Sequence, residues 1–177
     1  MGGASDITLA RTFGTWAASL KSVDIPADVV TAARRAILDT VGVMAAGAVH
    51  SATGRVAAAF GHEPGGCRRV DGIVSSPASA ALINGTAAHA YDFDDVSYTG
   101  IMHGSAVILP AVIAAAEETG ADDAEVVAAF VAGSEVAYVL GDVLTHTHYF
   151  RGWWSTVTLG TIGAAAAVAK IYRLDAD

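Results

Sequence analysis

Charge is scarce in this chain. Asp, Glu, Lys and Arg make up 16% of its 177 residues, where an ordinary soluble domain carries about 25%. A surface so poor in charge predicts that part of it is covered by a second copy, a second domain or a separate subunit. Basic residues are scarcer still: Lys and Arg total 10 against 18 Asp and Glu, for a net charge of −8. With no basic patch to neutralise phosphates, nucleic acid is excluded as a partner. Cys67 is the only cysteine, so no internal disulfide can form and a cytoplasmic protein is expected. Long apolar runs are lacking too. A membrane-spanning helix needs roughly 18 or more apolar residues, and the best candidate, Ser105 to Ala116, is interrupted by Pro110 and closed by Glu117 and Glu118. That run reads as core, and no membrane partner is expected. The N-terminus has neither the basic region nor the apolar block of a secretory signal.

Helical pattern is what the chain has in plenty. From Ile7 to Leu20, the residues Leu9, Phe13, Trp16 and Leu20 recur at helical spacing, with Asp6 or Thr8 as the cap. Residues 25–48 predict a second helix, Pro26 in its first turn and Val29, Val30, Ala33, Ile37, Leu38, Val41 and Met44 on its apolar side. Gly42 and Gly47 within it imply close approach of another backbone. A short helix from Thr53 to Phe60 leads into an irregular stretch with a brief extended piece around Ile73. Ser75 or Ser76 ahead of Pro77 then opens an alanine-rich helix. Ser105 to Thr119 follows as a helix, with Pro110 near its start or at a kink and Gly120 as its left-handed stop.

Asp122 and Glu125 have capping-box spacing before a helix that runs to Leu144, with a bulky stripe through Val126, Phe130, Val131, Val136, Tyr138 and Leu140. A polar turn, THTHYFRGWW, and a last helix from Ser155 or Thr156 complete the pattern. The closing LDAD reads as a helix end followed by an N-cap, Asp177, for a further helix. At least six helical segments against one doubtful strand predict an all-α, multi-helix fold. It forms a single domain over residues 1–177, incomplete without a partner or a C-terminal half.

Chemistry concentrates between Asn84 and His103, NGTAAHAYDFDDVSYTGIMH, where a small-residue helix runs into three carboxylates and a polar loop. Asp92 and Asp95 share a face if the helix persists, and Asp94 then points elsewhere. Such a pair suits general acid/base work, and a solvated helix end explains the same residues. His103 precedes an apolar helix, followed by Gly104 and Ser105. Free helix amides there can hold a substrate carboxylate beside the imidazole, or the histidine can be a plain boundary residue. His89, Asp92 and His103 can ligate a metal, but their spacing matches no specific metal motif, so no metal is expected. His146 and His148, two apart in a loop, share no helix face. Arg151 beside Trp153 and Trp154 can anchor an anion against an aromatic wall, and burial at an interface explains them as well.

Five ordered blocks carry a resemblance: RRAILDTVGVMAAG at 34–47, NGTAAHAYDFDD at 84–95, HGSAVILPAVIAAAE at 103–117, GSEVAYVLG at 133–141 and GWWSTVTLGTIGAAAAVAKIYRLDAD at 152–177. The sequence resembles the MmgE/PrpD family, which includes 2-methylcitrate dehydratases and cis-aconitate decarboxylases. The resemblance implies a cofactor-free enzyme, usually a homodimer, with a large helical domain and a smaller α/β lid. This chain matches the first part of the helical domain. It also implies that Asp92 stands at an active-site aspartate and His103 at the histidine of an HPS segment. Three positions depart from the pattern: Val96 where the family commonly has threonine, Gly104 where it has proline, and Trp154 where GFHPT supplies a second active-site histidine. Tryptophan donates one hydrogen bond but cannot exchange a proton near neutral pH. The family's active-site lysines would lie beyond residue 177.

The expected function is therefore that of a divergent, cofactor-independent lyase or isomerase subunit. It acts on a small carboxylate or a natural-product intermediate by acid/base chemistry. His103 and Asp92 are the expected catalytic pair, with His89, Tyr98, Ser105, Arg151 and Trp154 lining the substrate. The chain is expected as a homo-oligomer or with a separate subunit that supplies the missing helices and lid. The alternative is a non-catalytic scaffold or binding subunit of a heteromeric assembly.

Overall fold

The computed structural model describes residues 8–176; the expected caps at Asp6 and Asp177 lie outside them. Among these residues seven α-helices follow one another: α1 (Leu9–Ser19), α2 (Ala27–Gly47), α3 (Ser51–Phe60), α4 (Pro77–His89), α5 (Gly104–Thr119), α6 (Asp123–Phe150) and α7 (Ser155–Ile171). A 3-10 turn, Ser22–Asp24, joins α1 to α2. Between α3 and α4, β1 (Cys67–Arg68) pairs antiparallel with β2 (Val74–Ser75), Cys67 opposite Ser75. The fold is all-α, as the periodicity predicts.

Local chemistry sets the helix ends. The Thr8 hydroxyl accepts from the Arg11 amide, and the Ser76 hydroxyl accepts from the Ser79 amide with Pro77 in the first turn. Asp122 and Glu125 form a reciprocal capping box, and Gly120 ends α5 at φ 73°. Each cap satisfies amides or carbonyls that the helix itself leaves unpaired.

Helix α5 is the axis of the core. Ile108, Leu109 and Val112 are wholly buried and pack with Met102, Phe130, Leu159 and Ile171 from the surrounding elements. Burying each such aliphatic side chain stabilises the fold by about 1.5–3 kcal/mol. Small residues let the helices close on one another. A Cβ added at Gly133 would come 2.6 Å from the Gly163 carbonyl oxygen, and one at Gly163 would come 2.6 Å from that of Gly133, so α6 and α7 meet backbone to backbone.

Several expectations are corrected. The inward face of α2 is Val30, Ala33, Ile37, Thr40, Met44 and Gly47, whereas Val29, Leu38 and Val41 are exposed. Thr40 tolerates burial because its hydroxyl donates to the Ala36 carbonyl at 2.7 Å. Only one of the two α2 glycines marks a close approach: a Cβ on Gly47 would come 1.9 Å from the Ala87 carbonyl oxygen, but one on Gly42 would meet nothing within 4 Å. THTHYF is no turn. It continues α6 to Phe150, fastened by His146 Nε2 on the Tyr98 carbonyl and His148 Nε2 on the Thr158 hydroxyl, both at 2.8 Å. The longest apolar stretch is therefore within α6. Asp123–Leu144 is long and apolar enough to cross a membrane, yet 44% of its most apolar window is buried inside this fold, where it packs chiefly against α7.

The two ends of the described chain are tied together. Lys170 Nζ, near the end of α7, donates to the Ala17 carbonyl at 2.9 Å and also to that of Leu20. It thereby serves the unpaired C-terminal carbonyls of α1. Burial holds the Lys170 ammonium below its ordinary pKa.

Candidate active site

The chain between α4 and α5 is where the acidic cluster takes its shape. Helix α4 stops at His89, and Asp92 enters the left-handed region at φ 57°, a conformation that a non-glycine residue adopts only when its surroundings impose it. The helical face expected to join Asp92 with Asp95 therefore does not form. Further on, Ser97 and Met102 exchange two backbone hydrogen bonds, at 2.8 and 3.2 Å. They bring the chain back so that His103 becomes the N-cap of α5. The His103 amide donates to Thr156 Oγ1 at 3.1 Å, which joins the loop to α7.

Asp94, expected to point away, is the hub. Its side chain is fully buried. Its carboxylate takes a hydrogen bond from His89 Nδ1, with oxygens at 2.9 and 3.0 Å. His103 Nδ1 lies 3.2 Å from the second of these oxygens, off the line of a hydrogen bond, and that buried nitrogen has no other partner. The two imidazoles are tilted at 59° to each other with centroids 4.7 Å apart. Asp92, 75% exposed, approaches from outside, its Oδ1 3.6 Å from His103 Nε2 and 3.9 Å from His89 Nδ1. One ligand atom from each of His89, Asp92, Asp94 and His103 falls within 4.8 Å of the others. Such a set has the donor types to hold a divalent cation, a point the sequence spacing concealed.

Asp95 does something different. It accepts from the Ser105 amide at 3.2 Å and from the Ser105 hydroxyl at 2.5 Å. One of the amides at the start of α5, that of Ser105, is thus served by a resident carboxylate and is not free for a substrate. Ser105, expected to line the substrate, has its hydroxyl committed to that contact. On the far side of Asp95 lies Tyr138, whose phenol is pushed up to about 12 by burial and by the Asp95 charge.

The remaining expected residues divide. Trp154 stands next to the cluster, its ring 6.4 Å from that of His89 and half exposed. Tyr98 is 82% exposed and Arg151 is exposed at the C-cap of α6; neither belongs to the converging set. Sequence reasoning missed Asp94 as the shared partner and Thr156 as the support of His103. Helix α7 begins at Ser155, one of the two expected starts, with Trp154 as an N-cap that makes no side-chain bond.

The profile of the MmgE/PrpD N-terminal domain matches residues 11–177. The chain belongs to the MmgE/PrpD family. Among curated relatives, a cis-aconitate decarboxylase-like protein of Aspergillus oryzae is 31% identical over 173 residues, covering 92% of this chain and 36% of its own length. A cis-aconitate decarboxylase of Aspergillus terreus is 31% identical over 171 residues, covering 92% of this chain and 35% of its own. This MmgE/PrpD chain thus spans about a third of the length of the relatives it matches. The two positions that the family resemblance singles out, Asp92 and His103, are the pair that meet at 3.6 Å at the surface of the cluster.

Proposed function

We propose that this domain carries the acid/base centre of a cofactor-independent lyase of the dehydratase or decarboxylase type, acting on a small carboxylate. The observation that carries the reading is the setting of His103. One ring nitrogen faces the buried Asp94 carboxylate, while Nε2 looks out toward the half-open face where Asp92 stands. A proton on Nδ1, beside the Asp94 charge, leaves the lone pair on Nε2. In elimination, Nε2 removes a proton from the carbon beside a carboxylate, the electron pair forms the double bond, and the hydroxyl leaves as water by taking that proton from the imidazolium. In decarboxylation, the bond to the carboxylate breaks, the pair left by departing CO2 rests on carbon, and His103, protonated beforehand from solvent, gives that carbon a proton. Asp92 orients the ring and stabilises its protonated form. His89 and Trp154 line the approach. Helices and a lid beyond this domain complete the site and supply cationic groups for the substrate carboxylates. A positioned acid or base of this kind contributes about 10²–10⁴-fold to rate.

The test is turnover of hydroxy- and unsaturated di- and tricarboxylates, with and without an alkyl substituent, by the chain together with the polypeptide that completes it. His103→Ala is expected to remove about 10²-fold or more of the activity. Unchanged turnover would sink the assignment of His103. One observation favours a second reading, a non-catalytic binding or scaffold subunit: an indole with no exchangeable proton near neutrality occupies the Trp154 position. Absence of turnover in the completed assembly, with the ligand still bound, would favour that reading.

A further inference from the structure

A cavity of 620 Å³ opens between α3, α4, α5 and α7, beside the histidine cluster and unused by the chemistry above. Resting on the lyase reading, we infer that this cavity receives an aliphatic chain carried by the substrate, so that the substrate is an alkyl-bearing carboxylate and not a compact polycarboxylate.

Continuity with the site is the first support. His89 lines the cavity and is bonded to Asp94 in the cluster. Thr156 lines it as well, and its hydroxyl holds the His103 amide. A molecule whose reacting end lies at His103 has this space open beside it.

Wall chemistry is the second. Ala52, Leu82, Gly85, Thr86, Ala106 and Val107 form most of the lining, and no Asp, Glu, Lys or Arg side chain contributes to it. The two threonine hydroxyls are already engaged: Thr86 donates to the Leu82 carbonyl at 2.8 Å, and Thr156 accepts from His103. A second or third carboxylate placed here would meet no Lys or Arg among the lining residues, and the water it lost would cost several kcal/mol. Methylenes lose nothing and gain contact. The volume falls within the range of about 300–1,000 Å³ usual for ligand sites.

At the floor of the cavity α4 and α5 are in close contact: a Cβ on Gly85 would stand 3.2 Å from the Ala106 carbonyl oxygen.

The test uses a series of alkylsuccinates, from methyl to octyl, titrated calorimetrically into the chain. Affinity is expected to rise about fourfold for each added methylene until the cavity is full, and then to level off. Ala52→Phe and Thr86→Leu, each filling the wall, are expected to move the plateau to shorter chains while leaving methylsuccinate unaffected. Circular dichroism checks the fold of each variant, and the wild-type series stands on its own if either fails to fold. A flat series in the wild type overturns the inference, as does a rise that neither folded variant shortens. In that case the groove is packing surface for another protein segment. Chain-length-dependent binding with no turnover in the completed assembly would overturn the lyase reading and leave the cavity assignment intact. Turnover with a flat series would do the opposite.

Discussion

The carboxylate of Asp94 is buried 2.9 Å from Nδ1 of His89, and its other oxygen lies 3.2 Å from Nδ1 of His103. A single side chain that never reaches solvent thereby holds one imidazole and sets its charge against a second. Asp94→Asn keeps the volume but places an amide where one histidine expects an acceptor. Turnover of the completed assembly is expected to fall by about 10²-fold or more. Nitrogen NMR of the imidazoles should show at least one ring changing its tautomer or its exchange regime. A variant with wild-type turnover and unchanged ring signals would remove Asp94 from the positioning role.

Trp154 presents a large apolar face 6.4 Å from His89 and adds no titratable group. Trp154→Phe is expected to retain most of the native selectivity, while Trp154→His should alter product distribution or substrate preference by reintroducing a proton-exchanging group. Equal product ratios from all three proteins would place Trp154 outside the site.

Two glycines in one helix should respond with opposite sign. At Gly47 an added methyl collides with the Ala87 backbone of α4, and backbone cannot rotate aside, so Gly47→Ala is expected to cost about 1–3 kcal/mol or more. At Gly42 the methyl meets open space, and Gly42→Ala should stabilise by roughly 0.5–1 kcal/mol through helix propensity. Denaturant midpoints measured side by side decide the point. A similar loss in both variants would contradict the packing described for α2.

Tyr138 gives a pH prediction with a defined sign. Burial raises its folded pKa from the ordinary 10.0 to about 12, so the neutral phenol is favoured in the folded state. That contribution is fully present below about pH 10 and is lost as pH rises toward 12, on the order of 2–3 kcal/mol across the window. Tyr138→Phe should therefore flatten the alkaline limb of the stability profile and leave the acid limb alone. Phenolate absorbance of the wild type minus that of the variant should titrate near the upper end of the window. A midpoint near 10 would refute the burial argument.

Association is the last expectation. Leu38, Phe93, Phe150, Trp153 and Val157 are each more than half exposed on a protein with little charge to balance them. Light scattering during size-exclusion chromatography is expected to show self-association of the purified chain. A 17.9 kDa particle, thermally stable at tens of micromolar, would rule this out.

What the sequence made legible was the chemistry that acts over three or four positions. The Ser76–Pro77 start, the Asp122–Glu125 box and the Gly120 stop all depend on neighbours along the chain. The inward face of α2 was not legible, because Leu38 and Thr40 differ in the sense opposite to their burial. What decides there is which face meets α4, together with a threonine that satisfies its own hydroxyl. Nor was the extension of α6 through THTHYF, where His146 and His148 are fastened by groups 48 and 10 positions away. At the site, Asp92 and His103 were readable from motif. Asp94 was not, since the helical spacing used to place it lapses once Asp92 turns left-handed.

The bond between Lys170 and the Ala17 carbonyl spans 153 positions, and that distance along the chain is also a delay in time. A ribosome adds about 5–20 residues each second, so α1 emerges and waits on the order of ten seconds or more before the lysine that holds it has been made. The residues from His89 to His103, by contrast, are synthesised within about one to three seconds of each other. During synthesis, the loop that bears the histidine pair is complete long before the helix that closes the body of the domain. In that interval α1 presents its apolar side to chaperones and neighbouring chains.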